Sequence, residues 1–126
     1  MDRFLRGMYK WLPIVMGCHC RPDRSFFWRG RQFPVCARCT GQLLGVLAIP
    51  LTCWAGHPPV PVLFALLLPM VLDGVIQLKT SYESTNVRRL ITGFLFGYCF
   101  VLLFALSHVA VFRYGVALGR QLKGIP

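Results

Sequence analysis

Residues 36–72 read CARCTGQLLGVLAIPLTCWAGHPPVPVLFALLLPMVL, and this stretch decides the fold. Two cysteines lie at its start, and none of the 33 residues that follow Cys39 is charged. The Gly-His-Pro-Pro turn at residues 56–59 divides the apolar run, because glycine and proline interrupt helices. Since about 20 apolar residues cross a bilayer as a helix, we predict two membrane spans here, residues 40–56 and 60–78.

On both sides of this stretch the charged residues are segregated from the apolar ones. The chain has 126 residues, of which 56% are hydrophobic and 14% charged, whereas soluble domains have about 25% charged residues. Residues 90–112 form another uncharged run. Apolar runs between basic segments are typical of multi-pass membrane proteins. We therefore predict one all-α integral membrane domain over residues 1–126, with three transmembrane helices between residues 40 and 112 and a tail at residues 113–126.

The basic residues also predict how the chain is oriented. Of the 14 Lys and Arg, 11 lie in residues 1–40 and 79–89, and the positive-inside rule places these segments in the cytoplasm. Residues 4–15 are predicted to form an interfacial helix, since the cations Arg6 and Lys10 would be costly at mid-membrane. Three spans place the C-terminal tail outside, although it carries three basic residues. Either the tail lies in the interface as a short amphipathic helix, or the number of crossings differs from three.

Charge and small residues indicate which partners to expect. The net charge of +10 comes from residues that border the apolar runs, so we assign it to topology and to lipid phosphates and expect no nucleic-acid partner. Two small-xxx-small pairs, Gly41 with Gly45 and Gly93 with Gly97, predict close helix packing. Because three helices form a small bundle, we also expect a homo-oligomer or a partner membrane protein.

Four cysteines and a histidine precede the first predicted span. Cys18-His19-Cys20 is followed after fifteen residues by Cys36-Ala37-Arg38-Cys39. Two close pairs of soft ligands separated by a loop have the spacing of a tetrahedral zinc site. Thiols stay reduced in the cytoplasm, and the dipole of a helix beginning at Cys36 favours thiolate, the form that binds metal. The triplet is expected to supply at most two ligands: Cys18 with Cys20, or either of them with His19.

The loop between the two cysteine groups, residues 21–34, alternates arginines with aromatic residues. Aromatic side chains and arginines suit the headgroup level of a bilayer. The same residues also predict a β-hairpin that turns at Arg29-Gly30-Arg31, as in a zinc ribbon. The two interpretations are compatible.

Polar residues from later segments are predicted to converge on the cysteines. Asp73 is the only carboxylate inside an apolar run, so it is a functional candidate that needs a cation as partner, either a metal or an arginine. A helix-stabilising Asp–Arg pair is the alternative. Together with Glu83, a candidate general acid or base, Asp73 forms the candidate catalytic pair. The candidate anion- or lipid-binding residues, at a helix start beside arginines, are Arg38, Ser84, Asn86, Arg88 and Arg89.

Four blocks of residues resemble a known family. In chain order these are Cys18-His19 with Arg21-Pro22 and Arg24-Ser25-Phe26, then residues 33–41, then Pro69, Asp73-Gly74 and Gln77, then residues 83–86 with Arg89 and Thr92-Gly93. The chain is similar here to small predicted bacterial membrane proteins of unknown function (domain of unknown function 2085). The resemblance implies a multi-pass protein of the bacterial inner membrane. It also implies Cys18, His19, Cys36 and Cys39 as the metal ligands, because cysteine is unusual in the family at the position of Cys20.

The leading hypothesis is therefore a membrane metalloprotein that holds zinc, or another transition metal, at a cytoplasmic knuckle. Cys18, Cys36 and Cys39 would bind the ion together with His19 or an acidic fourth ligand. The site would be either structural, or catalytic and acting on an anionic or lipid-borne group. Two alternatives are a membrane thiol oxidoreductase that uses Cys36 and Cys39, and a non-enzymatic subunit of a membrane complex.

Overall fold

Four helices and a two-stranded hairpin form the chain in the computed structural model, which describes residues 3–124 except for the side chain of Cys53. The helices are α1 (Arg3–Val15), α2 (Ala37–Ala55), α3 (Val60–Lys79) and α4 (Asn86–Leu122). Between α1 and α2 lie a short 3₁₀ turn, Pro22–Arg24, and the strands β1 (Phe27–Trp28) and β2 (Arg31–Gln32). The mostly helical fold class predicted from the sequence is confirmed.

Local sequence explains where the helices begin and end. Cys36 is extended and α2 begins directly after it, and Gly56, at a φ of 98° that glycine adopts most easily, follows its last residue. Pro59 precedes α3. Before α4, the side chain of Thr85 accepts a hydrogen bond from the Arg88 amide at 3.4 Å. This N-cap is one of those that the polar run ahead of the third predicted span allows.

Helices α2 and α4 lie side by side with their backbones in contact. A Cβ atom added to Gly41 or Gly45 would overlap the carbonyl oxygen of Leu90 or Phe94 on α4. On α4, the same addition to Gly93 or Gly97 would overlap the carbonyl oxygen of Arg38 or Gln42 on α2. The contacts advance together along both helices, so the two run in the same direction. The close packing predicted from the two small-xxx-small pairs is confirmed.

Helix α3 packs against α4 through side chains instead. Leu63 on α3 is fully buried and forms a cluster with Tyr98, Cys99 and Leu102 of α4. Most other apolar residues of α3 are exposed, among them Phe64, Leu68, Leu72 and Leu78. Such a surface needs lipid or another apolar covering.

Two of the described helices, α3 and α4, are long and apolar enough to cross a membrane. Helix α2 occupies residues predicted as the first span, but the two candidate spans do not include it. The prediction for the third span and the tail needs correction. Helix α4 does not stop near residue 112 but continues to Leu122, so most of the tail extends this helix and does not form a separate short one. At 1.5 Å per residue, α4 is about 55 Å long.

The hairpin predicted in the loop is confirmed. Phe27 pairs with Gln32, and Trp28 pairs with Arg31. The two turn residues, Arg29 and Gly30, have φ angles of 49° and 75°, as a type I′ turn requires. Tyr9 of α1 donates a hydrogen bond from its hydroxyl group to the Gln32 carbonyl oxygen at 2.8 Å. The hairpin is thereby linked to the first helix.

Candidate metal centre and arginine-lined cavity

Three cysteine thiols from two segments meet at the start of α2. Cys18 lies in the loop after α1, Cys36 directly precedes α2, and Cys39 lies in its first turn. The three Sγ atoms all lie within 4.8 Å of one another. The Cys36 backbone N–H donates a hydrogen bond to Cys18 Sγ at 3.1 Å. Among the described residues, these three thiols are the metal-ligating side chains that lie close enough together to hold one ion.

The other two members of the predicted site lie differently. The Cys20 thiol points to the backbone, donating to the Pro34 carbonyl oxygen at 3.3 Å, and Cys20 has a φ of 48°. The His19 ring is outside the group of three mutually close thiols, although His19 lines the cavity beside them. The geometry thus combines Cys18, Cys36 and Cys39 and leaves a fourth ligand to be supplied from the cavity side.

The hydrogen bonds between the close thiols shift the pKa values of Cys36 and Cys39 in opposite directions. Hydrogen bonds from the Cys39 thiol, and secondarily from the Cys39 amide, the Cys18 thiol and the Arg38 amide, lower the pKa of Cys36 to about 5. The hydrogen bond to Cys36, together with burial, raises the pKa of Cys39. Burial, followed by the influence of Cys18, raises the pKa of Cys20. One thiolate is therefore already favoured at the centre, and a metal ion would take the place of the proton that Cys36 and Cys39 share.

A cavity of about 310 Å³ opens directly beside the thiols. It is lined by Met16, Gly17, His19, Arg21, Arg24, Cys36, Arg38, Cys39, Gln42, Gln77 and Arg89. Four of these eleven residues are arginines and none is acidic; Arg21, Arg24 and Arg38 form ion pairs with carboxylates outside the lining, and Arg89 forms none. The aromatic and basic pattern of the loop predicted lipid contacts for Arg21 and Arg24, whereas the structure places both in this cavity. The Pro22–Arg24 turn brings them back toward α2. The Pro22-Asp23 pair, a common turn signal, could have indicated this turn.

Asp73 is held by two partners at the side of this cavity. Arg38 donates to Asp73 Oδ2 at 2.5 Å, and Gln77 Nε2 donates to the same oxygen at 2.7 Å. The Asp73 side chain is only 11% exposed. The arginine partner predicted for this carboxylate is thus present as Arg38, and the pair connects α2 to α3.

Glu83 and Ser84 lie in the α3–α4 connection, and Asn86 is the first residue of α4. The Glu83 side chain is 72% exposed and accepts a hydrogen bond from Arg24 Nη2 at 3.3 Å. Ser84 is buried, and its hydroxyl has no hydrogen-bond partner among the described residues. Asn86 Nδ2 donates to the Ser25 carbonyl oxygen at 3.4 Å. These contacts join the connection to the loop that carries Cys18.

The neighbouring arginines of α4 have different surroundings. Arg88 donates to the Tyr82 hydroxyl and lies over the Tyr82 ring, 5.9 Å from its centroid. It lines a second cavity, of about 510 Å³, together with Asp73. Arg89 is 5% exposed and lines the cavity beside the thiols. The single pocket expected from the sequence is therefore divided, with Arg89 on the thiol side and Arg88 on the other.

Comparison with known sequences shows the family. The profile of the family described as "Predicted membrane protein (DUF2085)" matches residues 18–103, and the chain belongs to this family. The match includes all three thiols, the cavity arginines and Asp73. The family prediction made from the four blocks of residues is confirmed.

Two relatives are similar over much of the chain. An uncharacterized protein of Methanothermobacter thermautotrophicus is 44% identical over 81 residues, which cover 60% of this chain and 73% of that protein. The uncharacterized protein MJ1492 of Methanocaldococcus jannaschii is 41% identical over 91 residues, or 67% of this chain and 58% of that protein. Both organisms are archaea, so these relatives do not support the bacterial origin expected above. No solved structure matches the chain.

Proposed function

We propose that this member of the DUF2085 family is a multi-pass membrane metalloprotein that binds zinc through Cys18, Cys36 and Cys39. The observation that carries the proposal is the meeting of three Sγ atoms within 4.8 Å, although Cys18 and Cys36 are 18 residues apart in sequence. Thiolates bind zinc at about 2.3 Å, which puts the sulfurs of a tetrahedral site about 3.8 Å apart. Small side-chain rotations would bring these thiols to that spacing.

A zinc ion bound by three thiolates has a fourth coordination position, and the ligand at that position decides whether the site is structural or catalytic. Structural zinc sites have four protein ligands, whereas catalytic ones keep a position for water or substrate. Since Cys36 and Cys39 line the cavity, a ligand for the fourth position comes from that side, either the His19 ring or a bound molecule. A bound zinc ion would supply Lewis-acid chemistry to a group in the cavity.

For the two carboxylates we propose separate roles in such an enzyme. Asp73 is occupied by Arg38 and Gln77, so we assign it a positioning role toward Arg38 and not the role of a base. Glu83 is exposed and has one described partner, Arg24. It is the better candidate for the general acid or base.

We further propose that the metal centre faces the cytoplasm at the inner membrane surface. The contacts Arg24–Glu83, Asn86–Ser25 and Arg38–Asp73 bring the starts of α2 and α4 and the end of α3 to one end of the molecule. Most Lys and Arg also lie in these segments, as the positive-inside rule expects. In this arrangement α2 crosses the membrane beside α4, held by the glycine contacts. Association with lipids, and with a second copy or another membrane protein, stays a prediction.

A second candidate function is thiol–disulfide exchange by Cys36 and Cys39. The observation that favours it is the unequal pKa of the two thiols, because a reactive pair combines an accessible thiolate with a protonated neighbour. The Cys36 thiolate would attack a disulfide of a protein substrate and release one of its thiolates. Cys39 would then attack the Cys36 sulfur, which releases the substrate as a dithiol and leaves Cys36 and Cys39 oxidised to a disulfide.

Metal analysis tests the proposal directly. Protein purified in maltoside without a chelator or a His-tag is expected to contain about one zinc per chain, measured by mass spectrometry against protein concentration. The Cys36→Ser/Cys39→Ser variant is expected to lose it, whereas a Cys99→Ser control, distant from the centre on α4, is expected to retain it. Thiol trapping in cells separates the second candidate, since a redox pair would be partly disulfide-bonded. Fully reduced wild-type protein without metal would contradict the zinc proposal.

A further inference from the structure

Arg89 is a buried cation that forms no ion pair with the described residues. The residue is 5% exposed, and its Nη2 atom is shielded from solvent and has no hydrogen-bond partner among residues 3–124. The carboxylates near the cavity form their ion pairs with other arginines: Asp23 with Arg21 and Arg24, Glu83 with Arg24, and Asp73 with Arg38. A buried charge without a partner is strongly destabilising, so an acceptor group is expected where Arg89 points.

Two further arginines that line the same cavity each have a buried nitrogen without a hydrogen-bond partner. Arg24 Nε and Arg38 Nε are both buried without a hydrogen-bond acceptor among the described residues, and Arg24 Nε has only a 3.6 Å ion-pair contact with Asp23. Arg24, Arg38 and Arg89 come from the loop, α2 and α4, and all three line the cavity of about 310 Å³. Guanidinium groups are positively charged and have donors only, so all three arginines favour an anionic ligand with acceptor atoms.

We infer that this cavity binds a phosphate group, as a phosphomonoester or phosphodiester, through Arg24, Arg38 and Arg89. Phosphate carries several acceptor oxygens in a tetrahedral arrangement and accepts hydrogen bonds from arginines that approach from different directions. A carboxylate has two oxygens in one plane and suits three separate donors less well. The volume of the cavity also leaves room for a substituent on the phosphate.

The position of the cavity adds one element to this inference. Because Cys36 and Cys39 line it, a phosphate held by the arginines lies beside the proposed zinc. That adjacency rests on the proposed function, whereas the binding of phosphate rests on the arginines alone. The phosphate could reach the cavity on a phospholipid headgroup or as a soluble phosphate ester, and the chemistry of recognition is the same for both.

The main test compares wild type, Arg89→Gln and an Arg120→Gln control, which changes an exposed arginine near the far end of α4. Binding of radiolabelled inorganic phosphate is measured in maltoside micelles, which contain no phosphate. Arg89→Gln is expected to weaken binding roughly 10- to 100-fold, the effect of losing a charged hydrogen bond, and Arg120→Gln is expected to leave it unchanged. Equal binding by wild type and Arg89→Gln in this test and in the lipid test below would overturn the inference.

Thermal unfolding of the same proteins gives a second test, in which the expected difference in unfolding temperature between Arg89→Gln and wild type depends on whether phosphate is present. Without phosphate, Arg89→Gln is expected to unfold at a higher temperature than wild type, because it removes a buried charge that forms no ion pair. With phosphate in excess, wild type is expected to gain stability and the variant is not. If Arg89→Gln does not fold, Arg24→Gln serves in its place. A phosphate-induced rise of the same size in variant and wild type contradicts the inference.

Two more arms identify the source of the phosphate and separate this inference from the metal. Inorganic phosphate and glycerol phosphate probe the soluble source, and nanodiscs containing phosphatidylglycerol probe the lipid source, with bound lipid counted by native mass spectrometry. Arg89-dependent binding in either arm supports the site, and its absence from both overturns it. Zinc content is measured on the same samples. Phosphate binding without zinc refutes only the metal proposal, and zinc without Arg89-dependent phosphate binding refutes only the present one.

Discussion

Helix α4 contacts its two neighbours in different ways. Against α2 the contact is between backbones, at four glycines where no Cβ atom fits. Against α3 it is between side chains, centred on the buried Leu63. Glycine contacts of this kind bring two helices together at short range, whereas side-chain contacts in an apolar environment are replaced more easily by lipid or by a rotamer change.

This difference explains how a small bundle holds a polar site. Gly93 contacts the backbone of Arg38, and Arg89 lies one turn before Gly93 on the same helix. The glycine contact thus sets the separation of two arginines that line the cavity, and it also places the first turn of α2, which carries Cys39. Helix α3 contributes to the site through Asp73, whose carboxylate forms an ion pair with Arg38 of α2. We therefore expect the α2–α4 contact to be more sensitive to substitution than the α3–α4 contact.

The largest effect is expected at the glycine contact. Gly93→Ala places a methyl group on the carbonyl oxygen of Arg38, so the two backbones must separate. Overpacking of this kind costs about 3 kcal/mol or more when backbone must move. The expected result is a large loss of stability in urea unfolding followed by circular dichroism, together with loss of bound metal and of phosphate binding.

Gly74→Ala on α3 is the matched control for this substitution. A Cβ atom at Gly74 meets no atom within 4 Å, and alanine is favoured over glycine in a helix by about 1 kcal/mol. This variant is expected to be as stable as wild type or slightly more stable. If the two alanine variants are equally stable, the backbone contact between α2 and α4 does not determine the stability of the fold.

A smaller effect is expected at the α3–α4 contact. Leu63→Ala removes a fully buried side chain and is expected to cost about 2–3 kcal/mol, from lost apolar contacts and the cavity left behind. Because Leu63 is far from the thiols along α3, the metal content of the folded protein is expected to stay the same. Leu68→Ala, at a position 55% exposed, is the control and is expected to change the unfolding curve little. Loss of zinc from folded Leu63→Ala protein would show that the two contacts are not separable.

The parts of the fold that follow from local rules were predictable from the sequence. Glycine spacing predicted close packing at the faces where α2 and α4 meet, although not which helices would pair. The Gly-His-Pro-Pro turn predicted the break before α3, and Arg29-Gly30-Arg31 predicted the hairpin turn. The cysteine spacing predicted that the two cysteine groups would meet, and the resemblance to the family favoured Cys18 over Cys20. Each of these depends on residues a few positions apart, or on a pattern that has one common structural solution.

The parts that depend on packing direction were not predictable. The sequence indicated one pocket containing Arg88 and Arg89, but consecutive residues on a helix lie about 100° apart, and the structure puts the two arginines in different cavities. Arg24 enters the thiol-side cavity through a 3₁₀ turn that hydropathy does not reveal. The uncharged run stops before Arg113 and so predicts the end of the third span there, but a basic residue interrupts an apolar pattern without ending a helix, and α4 continues to Leu122.

The smallest effect is expected where α3 meets the site. Asp73→Asn keeps the shape of the side chain but removes the negative charge that Arg38 contacts at 2.5 Å, which is expected to cost about 1–3 kcal/mol. If Asp73 only positions Arg38, the variant retains its zinc and binds phosphate less tightly, because Arg38 is then free to move. Gln77→Leu, which removes the second partner of Asp73 and leaves the charge pair intact, is expected to cost less in both measurements. Loss of zinc from folded Asp73→Asn would instead indicate that Asp73 is a metal ligand. The metal site would then depend on the position of α3 as well as on the α2–α4 contact.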